Sequence, residues 1–285
     1  PSVSTLPKHE ADIRAAGDWL MQQLTDMGLR NVQRLASARH PSVFAEWKVD
    51  DTAPTILIYG HYDVQPAEPL ELWDSPPFEL TEKGDRVYGR GATDDKAGVV
   101  GTMMVIRTMM ENDVLPKVNL KLFFEGEEEI GSPNVGSIVS ANRDLLACDL
   151  VVSVDAGQPS TEQPALMLGL RGGFSATLHV KGPARDMHSG LYGGLIRNPV
   201  DAICELIASM RRPDGTILIK GFYDRVVELS AGEREQINAV PFSEAEVLGN
   251  SGSPALFGEP GYTPHERNWI RPTLEFTGIW GGHME

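Results

Sequence analysis

Three short apolar runs, each closing on side chains that bind metals, constrain this chain more than any other feature. Residues 55–59 (TILIY) lead into Gly60, His61, Tyr62 and Asp63. Asn119–Glu125 (NLKLFFE) leads into Gly126 and then Glu127, Glu128 and Glu129. Residues 150–155 (LVVSVD) end on Asp155. Such runs suit strands buried on both faces, as in a parallel sheet. Helical periodicity separates them: Lys96–Glu111, and then roughly residues 135–142. An earlier amphipathic helix spans residues 9–27, with Ile13, Ala16, Leu20, Leu24 and Met27 on one face and Gly28 as its stop. Residues 43–49 alternate like a half-exposed strand. Strands alternating with helices predict an α/β layer with a largely parallel sheet and helices on both faces.

The pattern changes near Arg171. Residues 173–181 (GFSATLHVK) alternate strictly, which suits an antiparallel sheet with one wet face. Helices are expected at about 199–211 and 224–229, a loop over 241–262, and a strand at 273–279. The predicted organisation is therefore a metal-binding domain over residues 1–171 and a smaller α+β domain over 172–285.

In an open α/β sheet, ligands bind beyond the carboxyl ends of the strands. Each of the three runs delivers an imidazole or a carboxylate there. The loop at 89–98 (GRGATDDKAG) adds Asp94 and Asp95 just before a helix. Taken singly, each has an ordinary reading. His61 could be a hydrogen-bonding residue, and Asp94 and Asp95 a turn and helix N-cap. Glu127 to Glu129 could be a solvated acidic turn, and Asp155 an Asx turn. Their joint occurrence at successive strand ends favours a metal. The nitrogen and oxygen donors suit zinc, manganese or cobalt better than calcium. The glycine-rich loop lacks the G-K-[ST] ending of a phosphate loop, and its acids would repel phosphate.

Composition narrows the class further. Hydrophobic residues make up 41% of 285 residues, enough for a sizeable core. A formal net charge of -15 argues against nucleic acid as a partner. No apolar run approaches the roughly 18 residues of a membrane span, and no secretory signal is visible, although a chain starting at Pro1 could have lost one. Cys148 and Cys204 lie far apart and make neither a disulfide framework nor a thiolate site, which points to a reducing cytoplasm.

Six segments together resemble the M20 family of metallopeptidases, in particular its dipeptidase branch. They are GHYDVQPAEPLELW (60–73), SPPF (75–78), GRGATDDKAG (89–98), EGEEEIGS (125–132), SVDAG (153–157) and GLRGGFSATLHVKGPARDMHSGLYGG (169–194). The resemblance implies a phosphorylase/hydrolase-like catalytic domain with an inserted lid and dimerisation domain. It also implies two divalent metal ions, zinc foremost with manganese or cobalt as options, a small peptide substrate and a homodimer formed through the lid.

By position, His61 and Asp155 would bind the first metal and Asp94 would bridge both, with a cis peptide between Asp94 and Asp95. Asp63 would orient His61. In the family's E-E-x-G-S pattern, Glu128 becomes the general base and Glu129 a ligand of the second metal, leaving Glu127 outside. His188 matches the lid histidine that stabilises the oxyanion. The family's second metal takes a further histidine late in the full-length chain. His283, the last histidine here, lacks the surrounding pattern, so the resemblance implies most of an active site with one ligand outside these residues. Aminoacylase, desuccinylase and carboxypeptidase relatives stay open as alternatives, as does a metal-binding or dimerisation module without turnover.

Overall fold

The computed structural model describes residues 1–114, 116–158 and 162–282. They fall into two compact units, Pro1–Gly157 and Gln158–Glu285. The first unit contains α1 (Glu10–Asp26), β1 (Arg30–Leu35), β2 (Ser42–Trp47), β3 (Thr55–His61), β4 (Thr81–Lys83) and β5 (Arg86–Tyr88). It continues with α2 (Lys96–Glu111), β6 (Asn119–Glu125), α3 (Val135–Ala141), α4 (Arg143–Leu146) and β7 (Leu150–Ser153).

Five strands form one mixed sheet in the order β1-β2-β6-β3-β7. The core β6, β3 and β7 are parallel, with His61 opposite Glu125 and Ile56 opposite Leu150. β1 and β2 add an antiparallel wing. Side chains alternate across each strand, so each strand feeds two cores. On one face Val43, Ala45, Leu120, Leu122 and Phe124 pack with Ile13, Leu20 and Leu24 of α1 and Val99, Met103 and Ile106 of α2. On the other, Phe44, Leu57 and Phe123 pack with Leu35, Ile138 of α3 and Leu146 of α4. Each fully buried Val, Leu, Ile, Phe or Met among them contributes roughly 1.5–3 kcal/mol. The α/β class, its parallel core and helices on both faces are those expected from the sequence.

Two features of this unit escaped the hydrophobic pattern. β1 (RNVQRL) is largely polar and forms because β2 offers it an edge. β4 and β5 are a three-residue antiparallel pair.

The second unit contains α5 (Ser189–Tyr192), α6 (Pro199–Ser209), α7 (Ala231–Asn238) and α8 (Glu244–Ser251), followed by a π-helical turn, Glu266–Ile270. The helix expected near 199 is α6, started by Asn198, whose side chain accepts the Val200 N–H, and by Pro199. Four expectations fail here. Residues 173–181 and 273–279 form no strand, residues 224–229 form no helix, and the expected loop over 241–262 holds α8. A strand exists only through a neighbour's hydrogen-bond ladder, and neither alternating segment has one among the described residues. Phe174 is accordingly 93% exposed. α8 forms because Ser243 caps it, accepting the Glu246 N–H, and Gly252 ends it in the left-handed region.

No helix among the described residues is long and apolar enough to cross a membrane.

Candidate metal centre

The chain leaves β3 through α2 on one face of the sheet to reach β6. It leaves β6 through α3 and α4 on the other face to reach β7. The neighbouring ends of β3 and β6 therefore send their connections to opposite faces, which opens a crevice between them. His61 ends β3 inside that crevice and is fully buried.

His61 Nε2 lies 2.9 Å from Asp94 Oδ1, 3.8 Å from Asp155 Oδ2 and 4.0 Å from Glu128 Oε2. One ligand atom from each of His61, Asp94 and Asp155 lies within 4.8 Å of the others. The other imidazole nitrogen, Nδ1, is 3.1 Å from the Asp63 carbonyl and 3.4 Å from Asp63 Oδ1. A proton held there for Asp63 turns Nε2 towards the carboxylates. That is the orientation a metal-binding histidine needs.

Asp63 is itself buried and does a second task. Its two carboxylate oxygens accept the backbone N–H groups of Glu128 (3.2 Å) and Glu129 (3.1 Å). Burial pushes its carboxyl up, but His61, Ser4 and the Glu129 amide outweigh it and hold the carboxyl below the usual range.

The field in the crevice is strongly anionic. Burial pushes the His61 imidazole down, yet Asp63, Glu128 and Asp155 lift it to about 10. Burial also pushes the Glu128 carboxyl up; His61 opposes this, and Glu129, Asp155 and Asp63 reinforce it. A buried imidazole oriented by a carboxylate, with two further carboxylates around its free nitrogen, fits a divalent cation that accepts nitrogen and oxygen donors.

The peptide between Asp94 and Asp95 is cis, as the family resemblance implies. Asp95 is a residue whose role the sequence did not disclose. It stands at the N-cap position of α2 but makes no side-chain cap there. Instead its Oδ2 accepts the His61 N–H at 3.1 Å. β7 last pairs with β3 at Tyr59, so that N–H lies beyond the ladder and Asp95 replaces the missing strand. Burial raises the Asp95 carboxyl to about 6, with Asp155 and Asp94 adding to it and His61 opposing. The fit is tight. A Cβ on Gly60 would lie 2.7 Å from Asp95 Oδ2, and one on Gly98 would lie 2.2 Å from Asp95 Oδ1 and 2.5 Å from the Val154 carbonyl.

Of the three consecutive glutamates, Glu128 faces His61. Glu129 lies outside the close His61, Asp94 and Asp155 group, and its Oε2 accepts from Gln65 Nε2 at 2.8 Å. Glu127 turns away and is itself buried, accepting from Ser37, the His40 N–H and Asn134. His188 belongs to the second unit, where it precedes α5 and its Nδ1 accepts the Gly190 N–H at 3.0 Å. His283 lies outside the described residues.

Fold and site thus define a metal-binding α/β protein whose site sits at the carboxyl edge of a parallel sheet core. The chain belongs to Peptidase family M20/M25/M40, whose sequence profile matches residues 57–271. It is similar to the Cys-Gly metallodipeptidase dug1 of Schizosaccharomyces pombe, at 31% identity over 99% of this chain and 62% of the relative. It is 36% identical to the Beta-Ala-His dipeptidase of Mus musculus over 86% of this chain and 50% of that protein. Among solved structures it resembles the M20 family metallo-carboxypeptidase Sso-CP2 from Sulfolobus solfataricus (TM-score 0.80, 30% identity), covering 100% of this chain and 64% of the other. It also resembles human carnosine dipeptidase 1 (TM-score 0.74, 29% identity), covering 100% of this chain and 63% of the other. The chain spans half to just under two thirds of the length of these proteins.

Proposed function

We propose that this chain carries most of the active site of a metal-dependent dipeptidase. The observation that carries the reading is the convergence of His61, Asp94 and Asp155, with Glu128 4.0 Å from the same imidazole nitrogen. His61, Asp94 and Asp155 would hold one divalent ion, and Asp94 and Glu129 would contribute to a second. Zinc suits this donor set, and so do manganese and cobalt. Bound metal supplies Lewis-acid polarisation of the scissile carbonyl and makes the attacking water more acidic.

The chain's own groups do the rest. Asp63 fixes the imidazole tautomer from below and, through the amides of Glu128 and Glu129, fixes the turn that carries them. Glu128 accepts the proton of the attacking water and passes it to the leaving amine. Its raised pKa, caused first by burial, suits a group that must both take and return a proton. His188 donates to the developing oxyanion from a lid over residues 172–285, which also forms a homodimer surface. The likeness to three dipeptidases favours a small peptide as substrate. A cytoplasmic location agrees with the cysteine usage.

The likeness to a metallo-carboxypeptidase favours a second reading, an M20-type enzyme acting on a longer peptide or an N-acyl amino acid. A dipeptide and N-acyl amino acid panel, run on the intact protein with elemental analysis, separates the two. Glu128→Ala tests the mechanism: metal is expected to stay bound while hydrolysis falls by at least about 100-fold. Unchanged hydrolysis with metal bound would exclude Glu128 as the base. Metal bound to the unmodified protein without turnover on any substrate would favour a binding module.

A further inference from the structure

Three glutamates follow one another at positions 127, 128 and 129, and only a fixed turn decides which of them serves the site. Glu127 carries the same side chain as its neighbours and lies one residue from the base, yet it is 2% exposed and aimed elsewhere. Its Oε1 accepts from the Ser37 hydroxyl and, at 2.7 Å, from the His40 backbone N–H. Its Oε2 accepts from Asn134 Nδ2 at 2.8 Å. Ser37 and His40 belong to the connection between β1 and β2, and Asn134 is the residue that starts α3. The Glu127 carbonyl also accepts from Ile130 N (3.3 Å) and Ser132 N (2.9 Å), closing the turn on itself. Across the turn, Asp63 grips the amides of Glu128 and Glu129. The turn is thus held at both ends by buried carboxylates whose oxygens are all directed at donors.

We propose that Glu127 is a positioning residue that locks the register of the glutamate run, so that Glu128 rather than Glu127 addresses the metal group. This rests on the reading of Glu128 as general base. A slip of one residue would place Glu127 at the site and leave the buried His40 N–H and the half-buried Ser37 and Asn134 donors without this acceptor, which is unfavourable most of all for the buried amide. Neither Glu127 nor its partners Ser37, His40 and Asn134 belong to the His61, Asp94 and Asp155 group. Its effect is exerted wholly through the orientation of Glu128.

The test uses the intact, metal-loaded protein with a dipeptide substrate and compares E127A, E127Q and E128Q. E127A is expected to lower kcat by roughly 10- to 100-fold, with KM and metal per chain unchanged. E127Q is expected to recover most of that loss, because the Gln oxygen still accepts from Ser37 and His40 while the Asn134 amide can flip to accept from its NH₂. If E127A does not fold, S37A and N134A each remove a single donor, and each is expected to lower kcat with metal retained. E128Q inactive with E127A fully active, or with S37A and N134A both fully active, overturns the inference alone. Loss of metal together with kcat in E127A makes Glu127 a merely structural residue and also overturns it. Full turnover by E128Q overturns the general-base reading, and this inference with it.

Discussion

Asp95 shows how much of the site is decided within a few ångströms. The sequence permits it as an ordinary helix cap, but the structure uses it to hold the last amide of β3. Space for that carboxylate exists only because Gly60 and Gly98 lack a Cβ. Gly98→Ala, which would press on Asp95 and on the carbonyl preceding Asp155, should cost about 1–3 kcal/mol, as overpacking does. Urea denaturation with metal analysis checks it; wild-type stability and metal content would contradict the contact. Asp63 acts on the same imidazole from the other side. Asp63→Asn should weaken metal binding by about 10- to 100-fold, measured by competition against a chromophoric chelator. The gathering of His61, Asp94 and Asp155 was legible in the sequence because each closes an apolar run or shortly precedes a helix. The role of Asp95 was not, since its partner is a backbone amide 34 residues away.

Helices and buried strands follow local patterns, and these the sequence shows well. α2 and β6 have the expected limits, and α1, β2, β3 and β7 differ by a few residues. β1 and the absent strands at 173–181 and 273–279 are the reverse case, because a strand is defined by the neighbour that pairs with it. In the second unit, polar side chains do more of the holding. Glu266 is 1% exposed and takes Arg234 Nε at 3.1 Å, Asn238 Nδ2 at 3.2 Å and the Thr263 N–H at 2.8 Å. Burial pushes its carboxyl up, but these partners hold it below the ordinary 4.5. A depressed folded-state pKa gives stability that is present above the unfolded value and lost as pH falls through the folded one. The second unit should therefore weaken as pH drops below about 4.5, and Glu266→Gln should flatten that acid dependence. Urea midpoints between pH 3 and 7 report it, and an equally steep acid limb in the variant would reject the assignment. Ser230→Ala should cost about 1 kcal/mol, because Ser230 and Glu233 form the capping box that starts α7.

At the scale of the whole molecule, the division into two units gives the metal a local effect. The residues proposed to hold it, His61, Asp94, Glu129 and Asp155, lie in Pro1–Gly157. A divalent ion at 100 times its Kd should stabilise that unit by about 2.7 kcal/mol, and chelation should remove the gain. The second unit should not respond directly. Trp19, Trp47 and Trp73 report on the first unit, and Trp269 and Trp280 on the second. Single-tryptophan variants followed during thermal unfolding would separate the two responses. Equal shifts in both units upon chelation would show that they unfold as one.

By itself the sequence determined the α/β class, the strand-end placement of His61, Glu128 and Asp155, and the family resemblance. These rest on local periodicity and short motifs, which need no knowledge of distant neighbours. The tertiary structure decided which of those groups meet. The strand order places β3 between β6 and β7, so His61, Asp94, Glu128 and Asp155 share one crevice. It also separated three adjacent glutamates into one facing the imidazole, one held by Gln65 and one buried among Ser37, His40 and Asn134. Identical side chains carry no signal that distinguishes them. Only the backbone turn and the donors packed around it assign each carboxylate its direction.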